Sequence, residues 1–194
     1  LMQQDPSKRY ISSDCPAILA YIEKYHPALI ENLTPIVSPM IATTRILRKI
    51  HGENLKIVFI GPCIAKKEES KEADVIITFS ELRKIFEQKN ITPYNSKPCD
   101  FDPPIGGAGA RFPVTRGLLE TMNLSNEQEQ NVIVADGRSK FQEAIKEFES
   151  GLLQNQHLEL LCCEGCTMGV GMSTSGKPFA KQALVNNYVQ EKMN

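Results

Sequence analysis

The chain has 194 residues, of which 41% are hydrophobic and 23% charged, an ordinary balance for a globular domain and enough chain to bury a sizeable core. Lys and Arg number 22 against 23 Asp and Glu, so the net charge of -1 advertises no basic face, and no nucleic-acid partner is expected. Apolar runs such as 57–60 are far too short to cross a bilayer, so no membrane association is expected either. Leu1 is followed by polar Met2-Gln3-Gln4-Asp5, which does not read as a signal peptide, and a chain that opens on Leu is expected to be a piece of a longer one.

In chain order, a helix is predicted over 16–25 and another over 39–50, each opened by a proline that suits a first helical turn. The run 56–60, Lys-Ile-Val-Phe-Ile, is apolar and β-branched and ends at Gly61-Pro62, which predicts a buried strand. Residues 74–78 repeat that pattern. Thr78-Phe79-Ser80-Glu81 has capping-box spacing and predicts a helix to about Asn90 with Leu82, Ile85 and Phe86 on its buried face. A further proline-led helix is predicted over 113–122. Strand 131–135 closes at Asp136-Gly137, and Ser139-Lys140-Phe141-Gln142 again has capping-box spacing, before a helix to about Ser150 burying Phe141, Ala144, Ile145 and Phe148. A fourth strand is predicted over 158–162 and a last helix over 180–192. The strands are nearly continuous apolar runs, the mark of strands covered on both faces. The expected fold is α/β, with mostly parallel sheets flanked by helices. The chain is expected to form one domain, divisible into two α/β lobes of about 1–125 and 126–194.

Neither solubility nor packing requires six cysteines: Cys15, Cys63, Cys99, Cys162, Cys163 and Cys166. Three thiols within five residues make poor geometry for bridging among themselves. Without a secretory pattern the spacing points to metal or redox chemistry and to a reducing cytoplasm. Cys63 follows one predicted strand and Cys163 and Cys166 another, at the carboxyl ends where sites in α/β sheets collect. Cys15 precedes Pro16 at a helix start, where free amides favour a thiolate. Cys15, Cys63, Cys166 and one of the Cys162/Cys163 pair form a candidate four-thiolate set. Such a set suits a cubane iron–sulfur cluster or a structural zinc. Two ligands standing alone in the chain favour a cluster at a junction over a zinc knuckle. Cys99 reads as a plain loop thiol, and His26, His51 and His157 as structural or surface residues. Lys66-Lys67-Glu68-Glu69 read alone is a solvated helix face. Gly106-Gly107-Ala108-Gly109 lacks the ending of a phosphate loop and suits close backbone approach to a bulky group.

Four segments in order resemble the carboxyl-terminal portion of the iron-only (FeFe) hydrogenase large-subunit family, which includes hydrogenase-like iron–sulfur assembly proteins. Ser12-Ser13-Asp14-Cys15-Pro16 resembles T-S-C-C-P, and 61–69, Gly-Pro-Cys-Ile-Ala-Lys-Lys-Glu-Glu, resembles M-P-C-x-x-K-x-x-E. Gly106 to Gly117 is similar to S-G-A-G-x-x-F-G-x-T-G-G, and Glu159 to Gly171 to E-x-M-A-C-x-G-G-C-x-x-G-G-G. The resemblance implies a 4Fe-4S cluster on Cys15, Cys63, Cys163 and Cys166, with Cys162 as the alternative to Cys163. It implies a di-iron subsite with CO and cyanide ligands bridged through Cys166. It further implies Lys66 bonding a cyanide, Asp14 and Glu69 on a proton path, and Thr34, Gly107, Gly109 and Phe112 around the cofactor.

The departures temper the catalytic expectation. Asp14 stands where catalytic members carry a proton-relaying cysteine, and a carboxyl titrates far below a thiol. Gly61 replaces a methionine expected over the di-iron site. Aligning on Glu159 selects Cys163 and leaves a C-x-x-C one residue short of the family spacing; aligning on ligand spacing selects Cys162. Cys-Glu-Gly-Cys and Phe101-Asp102-Pro103-Pro104 resemble the sensory branch, in which this domain is fused to PAS and signalling modules. The expected function is therefore a redox or gas-sensing iron–sulfur module with fused or associated signalling or ferredoxin-like domains and an electron-transfer partner. An active hydrogenase and a non-catalytic structural or assembly protein are the alternatives.

Overall fold

Proline leads three of the helical turns in the first part of the chain, where its fixed φ suits a first turn and its missing amide costs nothing. The computed structural model describes residues 7–69, 71–122, 124–172 and 176–193. The Leu1–Asp5 stretch, on which the signal-peptide reading rests, lies outside them. Helix α1 (Pro16–Tyr25) starts directly after Cys15 and buries Ile18 and Ile22. A 3-10 turn (Pro27–Asn32) follows. Helix α2 (Pro39–His51) carries Arg48, Lys49 and His51 in its last turn, where cations complement the helix dipole.

Strand β1 (Val58–Gly61), the one-turn helix α3 (Lys66–Glu69), strand β2 (Val75–Thr78) and helix α4 (Phe79–Gln88) come next. The two strands run parallel, Val58 beside Val75 and Gly61 beside Thr78. The expected capping box is formed: the Glu81 amide donates to Thr78 Oγ1 at 3.2 Å, and the Thr78 amide donates to Glu81 Oε2 at 2.7 Å. A 3-10 turn (Gly107–Arg111), short helices α5 (Gly117–Thr121) and α6 (Asn126–Gln130), strand β3 (Val132–Asp136), helix α7 (Lys140–Glu149) and strand β4 (His157–Leu161) complete the middle. Strands β3 and β4 are also parallel, Val132 beside His157 and Asp136 beside Leu161. A last 3-10 turn (Cys166–Met168) precedes helix α8 (Pro178–Met193).

The main core unites distant parts of the chain. Ile11, Cys15, Ile18, Ile22 and Leu29 pack with Phe141, Ala144, Ile145 and Phe148 of α7 and with Leu158, Leu160 and Leu161 of β4. Ile11 bridges both Leu33 and Leu158, so the segment before α1 lies alongside β4. The Ser12 amide donates to Leu158 O at 2.8 Å, and Ser12 Oγ accepts from the Leu160 amide at 3.0 Å. This pairing sets Asp14 and Cys15 beside the end of β4. No helix among the described residues is long and apolar enough to cross a membrane.

Four expectations are corrected. The strands form two separate two-stranded parallel sheets, β1–β2 and β3–β4, and cover on both faces fails for the first of them. Val58, Ile60 and Val75 are 53%, 38% and 48% exposed, because a two-stranded ribbon is too narrow for α3 and α4 to bury. For the same reason α4 buries none of its residues. The helix expected over 113–122 is confined to Gly117–Thr121. Arg116 in the left-handed region (φ 64°) breaks it, and the Arg111 carbonyl oxygen lies where a Cβ on residue 117 would stand, so only glycine fits there. Ser139 makes no cap bond, because it already has helical dihedrals (φ -86°, ψ -43°).

With Arg116 unable to cap α5, the cap comes from elsewhere. Glu159 of β4, 5% exposed, accepts at Oε2 from the Leu119 amide at 3.0 Å. Burial pushes this carboxyl up to about 7, with Asp14 adding to the rise and the Leu119 amide and Arg116 opposing it. The folded-state value lies above the unfolded one, so the group's stabilising contribution is fully present below about 4.5 and is lost as pH rises through about 7. The difference is on the order of 3 kcal/mol. Urea unfolding of the wild type should therefore lose stability between pH 5 and 7.5, and Glu159→Gln should flatten that slope; equal slopes would contradict the assignment. Phe148→Ala, at a fully buried ring, should cost about 3–5 kcal/mol in the same assay.

Candidate metal centre

Each cysteine of the proposed set sits at the end of an element that holds it in place. Cys15 is the residue before α1, 8% exposed, and the amides of Ala17, Ile18 and Cys162 point at its sulfur. Burial outweighs these donors and pushes the thiol up. Cys63 leaves β1 through Gly61-Pro62 and enters the turn before α3. Cys162 and Cys163 follow β4, and the Gly137 amide lies 3.2 Å from both Leu161 O and Cys163 O, tying that turn to the end of β3. Cys166 opens the last 3-10 turn.

The Cys63 and Cys166 loops are locked together by backbone. The Gly171 amide donates to Pro62 O at 2.9 Å, and Gly171 O accepts from the Ser80 amide at 3.0 Å. A Cβ on residue 169 would stand 2.7 Å from Pro62 O, and one on residue 171 would stand 2.5 Å from Thr78 Cγ2. Glycine at both positions is what lets the loop after β4 seat on the carboxyl ends of β1 and β2.

These loops enclose a cavity of about 150 Å³ whose lining includes Cys15, Cys63, Cys162, Cys163, Cys166 and Arg138. Burial pushes Cys166 up, reinforced by Cys15 and Cys63. Cys162 is held down by a hydrogen bond from Cys163, with Cys15 and Cys63 opposing. Cys163 is raised first by that same bond and then by burial, and its other charged neighbour is Arg138. Cys162 thus interacts with Cys15 and Cys63, whereas Cys163 interacts with Cys162 and Arg138, and both line the cavity. No three His, Cys, Asp or Glu side chains among the described residues are grouped closely enough for a single metal ion. The thiols are instead spread around a space. Cys99 is exposed and does not line this cavity.

A second cavity of about 330 Å³ shares Cys63 and Cys166 with the first and is also lined by Met40, Pro62, Lys66, Gly109 and Phe112. Gly109 and Phe112 are thereby brought to the site, whereas Gly107 lines neither cavity. Lys66 is 6% exposed, which sets aside the solvated-face reading for it. Its Nζ donates to Asp14 O at 3.2 Å and lies 2.8 Å from Glu69 Oε2. That approach is an ion pair by distance, but its angle leaves Glu69 Oε2 without an aligned hydrogen bond. Asp14 is 2% exposed, its Oδ1 has no partner, and burial holds its carboxyl above the ordinary carboxylate value despite help from Ser12 and Lys66. Thr34 is not among the lining groups of either cavity. Its Oγ1 accepts from the Ser13 amide at 3.1 Å and lies 2.9 Å from Ser13 Oγ, so it braces the segment before Cys15. Sequence reasoning missed Arg138; its place directly after the end of β3, where sites collect, was the available signal.

The family model described as iron only hydrogenase large subunit, C-terminal domain, matches residues 1–170. Among curated proteins, Iron hydrogenase 1 of Clostridium pasteurianum is 26% identical over 215 residues, covering 82% of this chain and 37% of that protein. The cytosolic Fe-S cluster assembly factor NAR1 homolog of Schizosaccharomyces japonicus is 29% identical over 100 residues, covering 43% of this chain and 19% of its own length. NAR1 of Vanderwaltozyma polyspora, also a cytosolic Fe-S cluster assembly factor, is 32% identical over 96 residues, covering 46% of this chain and 18% of its own. The chain therefore spans little more than a third of the hydrogenase and about a fifth of each assembly factor. Among solved structures, one concerned with oxygen inactivation of FeFe hydrogenase matches with a TM-score of 0.71 at 20% identity, covering 92% of this chain and 65% of that one. A variant of the FeFe hydrogenase HydA1 from Chlamydomonas reinhardtii matches at 0.67 and 19%, covering 96% of this chain and 66% of that one, which shows a shared fold. With the loops, the cysteines and the fold in agreement, the chain belongs to the C-terminal domain family of the iron-only hydrogenase large subunit.

Proposed function

We propose that this chain binds a 4Fe-4S cluster and serves as a non-catalytic, assembly-type member of its family. The observation that carries the reading is the ring of thiols around one cavity of about 150 Å³. A cubane needs four thiolates at separated corners, and a soft thiolate set suits iron–sulfur chemistry. Cys15, Cys63, Cys162 and Cys166 would hold it. Cys162 is preferred to Cys163 because it interacts with Cys15 and Cys63 and its backbone also bonds the Cys15 thiol, whereas Cys163 interacts with Cys162 and Arg138. When bound, such a cluster supplies one-electron redox chemistry. The chain's own contribution is to bury it, to direct the amides of Ala17 and Ile18 at the Cys15 sulfur, and to exclude water with the core around α1 and β4. The reading places the cluster where the carboxyl ends of the β1–β2 and β3–β4 sheets meet.

The assembly-type role is supported by the two assembly factors among the relatives and by the site itself. Asp14 occupies the position where the resemblance calls for a relay cysteine, with its Oδ1 unpartnered. The Phe59 ring fills the space a side chain on residue 61 would take, its Cε1 being 2.7 Å from that Cβ position. The relatives named above are a hydrogenase and two assembly factors, which does not support the signalling role expected from the Cys-Glu-Gly-Cys segment. The cytosolic designation of both assembly factors favours the same compartment, and one-electron cluster chemistry calls for a ferredoxin-like or other electron-transfer partner.

One observation favours a second reading. Cys63 and Cys166 line both cavities and Lys66 lines the larger, so a di-iron subsite would have room beside the cluster, bridged through Cys166 with Lys66 at a cyanide. Asp14 and Glu69 would then handle protons.

Anaerobic reconstitution should load about four iron and four sulfide per chain. Cys162→Ser should abolish the cluster and Cys163→Ser should retain it; a zinc-only product, or the reverse pattern, would overturn the assignment. After co-expression with hydrogenase maturation proteins, the chain should show no infrared bands from bound CO or cyanide and evolve no hydrogen from reduced viologen. Such bands would replace this reading with the di-iron one.

A further inference from the structure

The cysteine cavity has a single charged residue in its lining among the described residues. Arg138 follows Asp136-Gly137 at the end of β3 and precedes α7. Its place is set by backbone, since the Gly137 amide sits between Leu161 O and Cys163 O at 3.2 Å from each. The residue is exposed, and its side chain lines the same cavity as Cys162 and Cys163. It takes no part in the ion pairs found among the described residues, which engage Arg45, Arg48, Arg116 and several lysines. Lys66, the other cation near the thiols, is already committed to Asp14 O and Glu69. Ile64 and Val170, 57% and 64% exposed, line the same cavity and mark the side on which it meets solvent.

We propose that Arg138 is an electrostatic positioning residue for the cluster, offsetting the negative charge of the four-thiolate set at its solvent-facing side and raising its reduction potential. This rests on the cluster reading above. Four thiolates around a cubane leave net negative charge, and reduction adds one more electron to a partly buried site. A cation at the mouth stabilises the reduced form more than the oxidised one, so removing it makes reduction harder. Because the guanidinium is solvent-exposed, added salt should screen its effect.

The test is potentiometric titration, followed by electron paramagnetic resonance, of the anaerobically reconstituted chain and its Arg138→Gln and Arg138→Lys variants. Thermal unfolding of the unloaded proteins is measured in parallel. The proposal expects Arg138→Gln to shift the midpoint to lower potential, Arg138→Lys to restore most of the shift, and the difference to shrink as ionic strength rises. Loss of the cluster in Arg138→Gln but not in Arg138→Lys, with unfolding unchanged, would support the same charge role. An unchanged midpoint in a fully loaded Arg138→Gln, or equal loss of the cluster in both variants, would overturn it. A wild type that takes up no iron and sulfide would overturn the cluster reading and this inference with it, whereas a loaded wild type with an indifferent Arg138 overturns this inference alone.

Discussion

The loop that carries Cys166 lies so tightly on the loop that carries Cys63 that the rest of the centre depends on that contact. Pro62 O accepts from the Gly171 amide at 2.9 Å and would meet a Cβ on residue 169 at 2.7 Å. Two glycines therefore replace side-chain packing with backbone proximity, and the carboxyl ends of the two small sheets are joined there. Cys15 reaches the same place by another route. Pairing of Ile11 and Ser12 with β4 and burial of Ile18 and Ile22 against α7 bring the start of α1 to the end of β4. Thiols far apart in sequence meet because three pieces of backbone are held by hydrogen bonds and one shared core.

Charge is managed around the thiols in a graded way. On the inner side Lys66 is buried, and a buried ammonium is tolerable only with partners, here Asp14 O and Glu69. Asp14 and Glu159 are buried acids whose carboxyls burial raises above their ordinary values. On the outer side Arg138 stands exposed at the mouth of the cavity. A negatively charged group in the cavity would therefore meet Arg138 in its lining, screened by solvent, with Lys66 set back in the adjoining cavity. The unpartnered Oδ1 of Asp14 belongs to the same neighbourhood and departs from the thiol that the family resemblance implies there.

What was legible in the sequence was local. The start of α1 at Pro16, the capping box at Thr78 and Glu81 and the four apolar strand runs each rest on residues within a few positions of one another. The division into two sheets was not legible, because strand pairing joins segments across long stretches and the runs look alike. The helix over 113–122 failed for a tertiary reason, the approach of Arg111 O to Gly117. Lys66 and Glu69 read as surface residues by composition, and only the motif resemblance drew them toward the site. Of the candidate residues, Thr34 braces Ser13 through its hydroxyl, and Gly107 lines neither cavity. The choice between Cys162 and Cys163 turns on which thiol leaves β4 toward Cys15, a matter of side-chain direction that spacing cannot express.

We assign four particular sulfurs to a polynuclear iron–sulfur group. A crystal structure of the anaerobically loaded chain, with anomalous data collected at the iron edge, tests this assignment most directly. Four iron positions are expected in one cubane bonded to Sγ of Cys15, Cys63, Cys162 and Cys166, with Cys163 unbonded and Arg138 at the open side. A single tetrahedral ion, or a cluster bonded through Cys163 with Cys162 free, would contradict the assignment.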